Sequence, residues 1–525
     1  MSIISKVGSQ VTINGGQCIS ILQQTVVNTK IQNLLLNLTL SSSAGSMNLI
    51  ETVVGCLEIK GYQILGTYIS TSSISLGVKQ ILADSTIAIK YVSISTQQFT
   101  VGNKSSYLIS YVNYSTLQLQ HISIQSGNIN SNNNLISIST TATNYYIYGG
   151  LITMCSQSQT TVQDISLSTY EYISTQFVNY TGQLIGYINN PPCQTNILQV
   201  CVNYNINSAA AVQYYMFGLV GFTNTDLTLN SISVYFMIKG GIYNVLGVVG
   251  WTNGSSSIFN NIQVTLINAQ NNGVQSGVLL GVSKASNLTI QNISISNSII
   301  SAQNFIGLIA SESCNATITQ SSVTSSQIIA SSSTYSSFSG GLIGESSEQV
   351  VVQQCVVNNI TTVSQSNKAW SISGGLVGNM RDNPTTIIQS LIQQSTIQST
   401  GTPTSASSSC GLIGCLYNSS IIIQSTQVKN INLTTTSASV SYCSGFLGLV
   451  SNQSVQIQNS KLITVQITIS GTTLYSKMVL TVANGVIGTS TFAISGSSVS
   501  GINSMNGSAV TNCANIVNTI SQNGC

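Results

Sequence analysis

Ser339-Gly340-Gly341-Leu342-Ile343-Gly344 is the stretch that decides how this chain is read. It returns as Gly374-Gly375-Leu376-Val377-Gly378, as Gly411-Leu412-Ile413-Gly414 and as Gly445-Phe446-Leu447-Gly448. Upstream the same shape appears as Gly149-Gly150-Leu151-Ile152, Gln183-Leu184-Ile185-Gly186, Gly218-Leu219-Val220-Gly221 and Gly247-Val248-Val249-Gly250. Val278-Leu279-Leu280-Gly281 and Gly307-Leu308-Ile309-Ala310 follow, and Gly485-Val486-Ile487-Gly488 closes the series. Successive copies lie about 29 to 40 residues apart, most often about 33. A fixed period in that range is the signature of stacked repeats, each unit covering the apolar face of the next.

Within one period the segments alternate. Leu288-Thr289-Ile290-Gln291 and Ile293-Ser294-Ile295-Ser296 place apolar and polar residues in turn, and a Ser/Asn-containing link then leads to the Gly-Leu-Ile run. Period-two alternation with β-branched residues reads as strand, and no segment sustains a 3.6-residue period. The expectation is all-β: a single right-handed parallel β-helix of about three strands per coil and about thirteen coils. Residues 1–50 read as an N-terminal cap with an irregular first coil. Residues 51–488 read as the repeats, regular from about 149, and 489–525, with Cys513 and Cys525, as a C-terminal cap. Gly150, Leu151, Gly218, Gly221, Gly247, Gly250, Gly341, Leu342, Gly344, Gly375, Gly378, Gly411, Gly414, Gly445 and Gly448 carry the repeat.

A second marker supports the register. About thirteen residues into each period stands an amide: Gln163, Asn230, Asn260, Gln291, Gln320, Gln354, Gln389, Gln424 and Gln458. Stacked coils would set these as a ladder of amide-to-amide hydrogen bonds. The Gly-Leu-Ile run itself poses a geometric question, since adjacent strand residues point to opposite faces and both are apolar. Either the flanking glycines bend the chain so that both turn inward, or one row faces outward as an apolar stripe that something must cover. The bend or a covered face is the preferred reading.

Composition limits the function. Charged residues are only 4% of the chain, and 42% is hydrophobic. Ser, Thr, Asn and Gln replace charge, and these can stack in rows without like-charge repulsion. The net charge of +3 comes from scattered residues, with no basic patch, so nucleic acid is not an expected partner. No apolar run reaches transmembrane length, and the N-terminal stretch has no recognisable signal peptide. Twelve cysteines without CxxC pairs do not suggest a zinc ribbon. Cys410 and Cys443 stand 33 residues apart just before their motifs, either as a disulfide between adjacent coils or as buried free thiols.

With that core and period, the chain resembles the GLUG-motif repeat proteins, over residues 149–488 and more weakly over 51–148. These are bacterial and protist surface or secreted proteins, often adhesin-like, with the motif set in parallel β-helical stacks. The resemblance implies a surface role and supplies no catalytic residues or cofactor to carry over.

An enzymatic reading has little to use. Glycoside cleavage needs paired carboxylates, and the only close candidates among ten acids are Glu345 with Glu348, and Asp382 beside Arg381. His121 is the only histidine, in an alternating strand pattern, so no histidine metal cluster exists. Thirteen Asn-x-Ser/Thr sequons are no more than so Asn-, Ser- and Thr-rich a chain contains by chance. The tyrosines crowd the first half, and Tyr145, Tyr146, Tyr148, Tyr214 and Tyr215 are candidates for a contact surface. The expected function is therefore non-enzymatic: an adhesin-like or structural protein, extracellular or at the cell surface. It would present an extended face to a glycan, a protein or copies of itself. A degenerate carbohydrate-active β-helix enzyme is the alternative, marked by any gathering of Glu345, Glu348 and Asp382.

Overall fold

A computed structural model describes residues 2–4, 19–26, 28–42, 47–70, 74–82, 84–101, 106, 108–131, 147–174, 178–189, 194–207, 213–239, 242–254, 256–267, 269–270, 275–313, 315–402, 406–437, 441–451, 454–470, 478–480, 486–487 and 491–505. Among these residues there are strands and turns and no helix. The strands pair in parallel, one coil on the next, so the fold is a β-solenoid. Contacts divide the chain into two compact units, Met1–Ile258 and Phe259–Cys525.

In the first unit, the strands Thr86–Val101, Thr116–Ser131 and Gln159–Ser174 are long and stack in exact register, Thr86 on Thr116 on Gln159. Their alternation sends several aliphatic residues per coil inward, one to each column. Ile59, Ile89, Leu119, Val162, Ile197 and Leu229 form one such column, and each is essentially inaccessible to solvent. Burying a side chain of this kind contributes roughly 1.5–3 kcal/mol, so a column of six is a large share of the unit's stability. Strands from before residue 50 belong to the stack as well. Ser2–Ile4 pairs with Thr29–Gln32, which pairs with Cys56–Ser70, so rungs outnumber the Gly-Leu copies.

In the second unit the coil is cut more finely. One turn consists of Val350–Gln353, Val356–Asn358, Thr361–Ser366, Ser371–Gly374 and Val377–Arg381, before Thr385–Ile388 begins the next. The first breaks fall at Gln354 and Asn359, whose φ angles are 54° and 52°. This is the left-handed region, and an amide side chain makes it tolerable by hydrogen-bonding locally. The inward column here is Ile290, Ile318, Val352, Ile387, Ile423 and Ile457.

The left-handed corner explains the amide marker. In the first unit it is occupied by Asn33, Tyr91, His121, Asp164, Gln199 and Ser231, and in the second by Asn261, Asn292, Gln320, Gln354, Gln389, Ser425 and Asn459. The marker amides sit either at this corner, as Gln320, Gln354 and Gln389 do, or immediately before it, as Gln163, Gln291 and Gln424 do. The ladder exists across both slots. Gln291 Nε2 donates to Gln320 Oε1 at 3.1 Å, and Gln354 donates likewise to Gln389 at 3.3 Å. The residue after the corner is often Ser, and its hydroxyl serves two coils. Ser390 Oγ donates to Ile388 O at 3.1 Å and accepts the amide of Cys355 at 3.3 Å. A buried backbone N–H that the corner would orphan is thereby satisfied.

The Gly-Leu-Ile run is the expected bend. Leu342 N and Ile343 N converge on one carbonyl, Leu376 O, at 2.8 and 3.0 Å. Leu376 and Val377 do the same to Leu412 O. Two successive amides aimed at one acceptor mean that the chain turns there, and Leu342 and Ile343 are both 0% exposed. The outward apolar stripe is excluded for the described copies. The glycines allow the coils to approach. A Cβ on Gly375 would stand 2.0 Å from Gly411 O, and one on Gly411 would stand 1.9 Å from Gly445 O. No side chain fits there.

No disulfide joins Cys410 to Cys443. The register sets Ser409 opposite Cys443 and Cys410 opposite Ser444. The two cysteines are therefore offset by one residue, which turns successive side chains apart.

Candidate binding seam

One position of the repeat is not dictated by packing. It is the residue after the closing position of each motif, a glycine in copies such as Gly186, Gly221 and Gly250. In the first unit the register stacks Gln80, Tyr111, Met154, Tyr187, Phe222 and Trp251 at this slot, one per coil. Each is half-buried. The strands alternate, so an inward residue such as Ile188 follows and the next outward side chain is a short polar one. That second row reads Asn113, Asn189, Asn224 and Asn253, with the buried Ser156 at the same position of the Met154 coil. Asn224 Nδ2 donates to Asn189 Oδ1 at 2.6 Å, while the Tyr187 and Phe222 rings stack at 4.9 Å with 13° between their planes. The two rows carry no charged residue. Burial raises the phenol of Tyr111 above its ordinary value, with Cys155 and Tyr114 adding to the shift, so this ring stays neutral as well.

In the second unit the same slot holds Val282, Glu312, Glu345, Asn379, Cys415 and Leu449. Glu312 and Glu345 are opposite one another on adjacent coils, an arrangement that would be repulsive alone. Each has its own cation. Lys284 pairs with Glu312 and Arg381 with Glu345. Gln275 Nε2 also donates to Glu312 Oε2 at 2.5 Å, and Asn379 Nδ2 donates to Glu345 Oε1 at 2.9 Å. Beyond this polar stretch the slot becomes apolar. Cys415 and Leu449 pack with Phe338 and Ile372, and Phe305 and Tyr442 cover them in part. Phe305 and Phe338 stack at 5.5 Å. Burial pushes the Cys415 thiol up to about 12, with the Arg381 charge opposing. A thiol so hard to ionise is a poor nucleophile.

Of the tyrosines singled out in the sequence, Tyr145 and Tyr146 lie outside the described residues. Tyr148 lies in Ile147–Gly149 in register with Thr181, and Tyr214 lies in Gln213–Thr223 beside Val178 and Tyr243. Tyr215 follows it in the same strand. The seam row is a different set, and one signal would have found it: the residue one step past Gly186, Gly221 and Gly250 is aromatic each time. The acids also group otherwise than expected. Glu345 is matched in register with Glu312, Asp382 occupies a left-handed corner and accepts from Asn418 at 3.4 Å, and Glu348 lies in the turn after Ile343–Ser346. His121 is a surface residue of the left-handed corner. Its ring stacks on Tyr91 at 4.8 Å, and its Nδ1 lies 3.4 Å from Asp164 Oδ2. Among the described residues no three His, Cys, Asp or Glu side chains gather as a metal site. No helix of the described residues is long and apolar enough to cross a membrane.

A scan against protein-family models, a search of curated proteins and a search of solved structures each give no match to this chain.

Proposed function

We propose that the chain is a non-enzymatic, adhesin-like surface repeat protein of the kind the GLUG motif suggests, extracellular or at the cell surface. It holds a partner through many weak contacts along the first unit. The observation that carries this reading is the half-buried row Tyr111, Met154, Tyr187, Phe222 and Trp251 with its neutral polar neighbours. Aromatic residues are enriched in contact surfaces, because a flat amphipathic ring offers large contact area at little cost in conformational entropy. The glycine-controlled approach of the coils fixes their spacing, which pre-organises the row.

The enzymatic alternative draws on Glu312 and Glu345, two carboxylates one coil apart. Each is paired with a cation, which favours two ionised groups where a general acid would need one protonated. The proposal is tested by surface labelling of intact cells, with purified protein added to cell and matrix surfaces. Tyr187→Ser/Phe222→Ser should lose attachment and keep its thermal midpoint. Purely intracellular location, or attachment equal in the variant, would sink it.

A further inference from the structure

We infer that the seam of the first unit takes a neutral, β-linked glycan chain laid along the axis of the stack, across Tyr187, Phe222 and Trp251 and beside Asn189, Asn224 and Asn253. This names the partner class for the surface-binding reading above and rests on it.

Three features of the seam point to that chemistry. The first is charge. Neither row carries an ionised group, so a uronate, a sulfated glycan or a phosphate polymer would lose water and gain no counter-charge. The second is ring orientation. Tyr187 and Phe222 are stacked on each other at 4.9 Å, only 13° from parallel. Their faces are therefore spent on one another, and their rims point outward. A ring's rim is the positive end of its quadrupole, so it suits the oxygen lone pairs of an oxygen-rich ligand. The same fact argues against a second copy of this chain docking on the row, because two outward rims repel. The third is the division of labour across the strand. At i and i+2, an apolar side chain and an amide share one face. Trp251 and Asn253 are such a pair, as are Tyr187 and Asn189. An amide offers two donors and one acceptor, which is what vicinal hydroxyls require.

A protein strand is less suited to this place. Strand addition needs an open sheet edge with free backbone groups, whereas the row lies on a sheet face whose strands are paired on both sides, as Ile152–Ser156 and Val178–Asn189 are. Five rungs at the interstrand spacing span about 20 Å, the length of a short oligosaccharide. A β-linked ribbon has C–H groups on its faces and hydroxyls at its edges. It can stand with a hydroxyl-bearing edge over the ring rims and the amides, its oxygens meeting the positive rims.

The test uses the full chain with cellohexaose and chitohexaose as neutral probes, and heparin fragments and oligogalacturonate as charged ones, by titration calorimetry. At least one neutral probe should bind saturably, and the charged probes should bind about tenfold or more weakly. Tyr187→Ala/Phe222→Ala should weaken the neutral probe about tenfold or more. Asn189→Asp, which adds charge at nearly constant volume, should weaken it in a chain whose melting is unchanged. Tyr442→Ser in the second unit should bind as the parent does. Preference for a charged probe, equal binding by the row variants, or no binding of either neutral probe by the folded chain would each overturn the inference. Attachment to cell surfaces separates this failure from that of the parent reading. If cells stripped of neutral glycans still hold the protein, surface binding survives and the glycan assignment falls. If no surface holds it, both fall.

Discussion

The two units use one slot of the same motif for opposite purposes. After the closing glycine the first unit places Tyr187, Phe222 and Trp251, half-buried and neutral, while the second places Glu345, Asn379, Cys415 and Leu449, almost wholly buried. The bend, the converging amides and the inward Leu-Ile pair are common to both. A side chain at this slot stands outside the inward aliphatic column, so its chemistry can differ between the units. Function is thereby separable from scaffold. The second unit uses the freedom to close its seam with ion pairs and an apolar cluster, and the first leaves it half open.

That contrast can be broken or sharpened in several ways. The largest effect should come from alkaline pH acting on the second unit. Burial raises the thiols of Cys355 to about 11 and of Cys415 and Cys443 to about 12, against an ordinary 9.0, and it raises Cys410 as well. Below the unfolded value both states hold their protons and this contribution to stability is fully present. As pH rises past it, only the unfolded chain ionises, and stability falls until the folded thiols also titrate. The expected loss is about 1 kcal/mol per thiol per pH unit above pH ~9, read as a falling urea midpoint. Replacing the four cysteines with Ala should flatten that slope. An unchanged slope would show that these thiols are not the source.

Next in size is Gly375→Ala. Its Cβ would stand 2.0 Å from a backbone carbonyl of the next coil, which cannot yield without parting the coils. A loss of about 3 kcal/mol or more is expected in denaturant unfolding. Gly150→Ala in the first unit, where the corresponding separation is 1.8 Å, should behave alike, since the bend is shared. A benign result at either site would remove the common scaffold from the comparison.

Arg381→Met should cost about 2 kcal/mol, because it strands the buried Glu345 carboxylate. The double variant Glu345→Leu/Arg381→Met should recover most of this loss in the same assay. Failure to recover would mean that the pair contributes net stability of its own. The smallest effect is a gain. Gln183 is fully buried, and among the described residues neither its Nε2 nor its Oε1 has a partner. Gln183→Leu should therefore raise the unfolding free energy by about 1 kcal/mol.

The parallel stack, its register and the burial of the Leu-Ile pair were legible in the sequence, because glycine spacing and period-two alternation are consequences of close coil approach. Two things were not. The left-handed corners at Gln354 and Asn359 look like ordinary amides, and only the backbone angle shows that they divide the strand. The seam was missed because the tyrosines drew the eye by number, whereas what matters is position: Phe222 and Trp251 belong with Tyr187 through register alone. The acids showed the same blindness. Glu312 and Glu345 are 33 residues apart in sequence and one rung apart in space.

The most direct test of the stacked seam is a disulfide built across it. Tyr187 and Phe222 are register partners on one face, about 4.8 Å apart along the stack, within bonding reach of two cysteines. Under mild oxidation Tyr187→Cys/Phe222→Cys should form the crosslink in the folded chain, identified by peptide mass spectrometry. Tyr187→Cys/Thr223→Cys, one residue out of phase with one side chain turned inward, should not. Crosslinking of the second pair but not the first would contradict the register on which the seam depends.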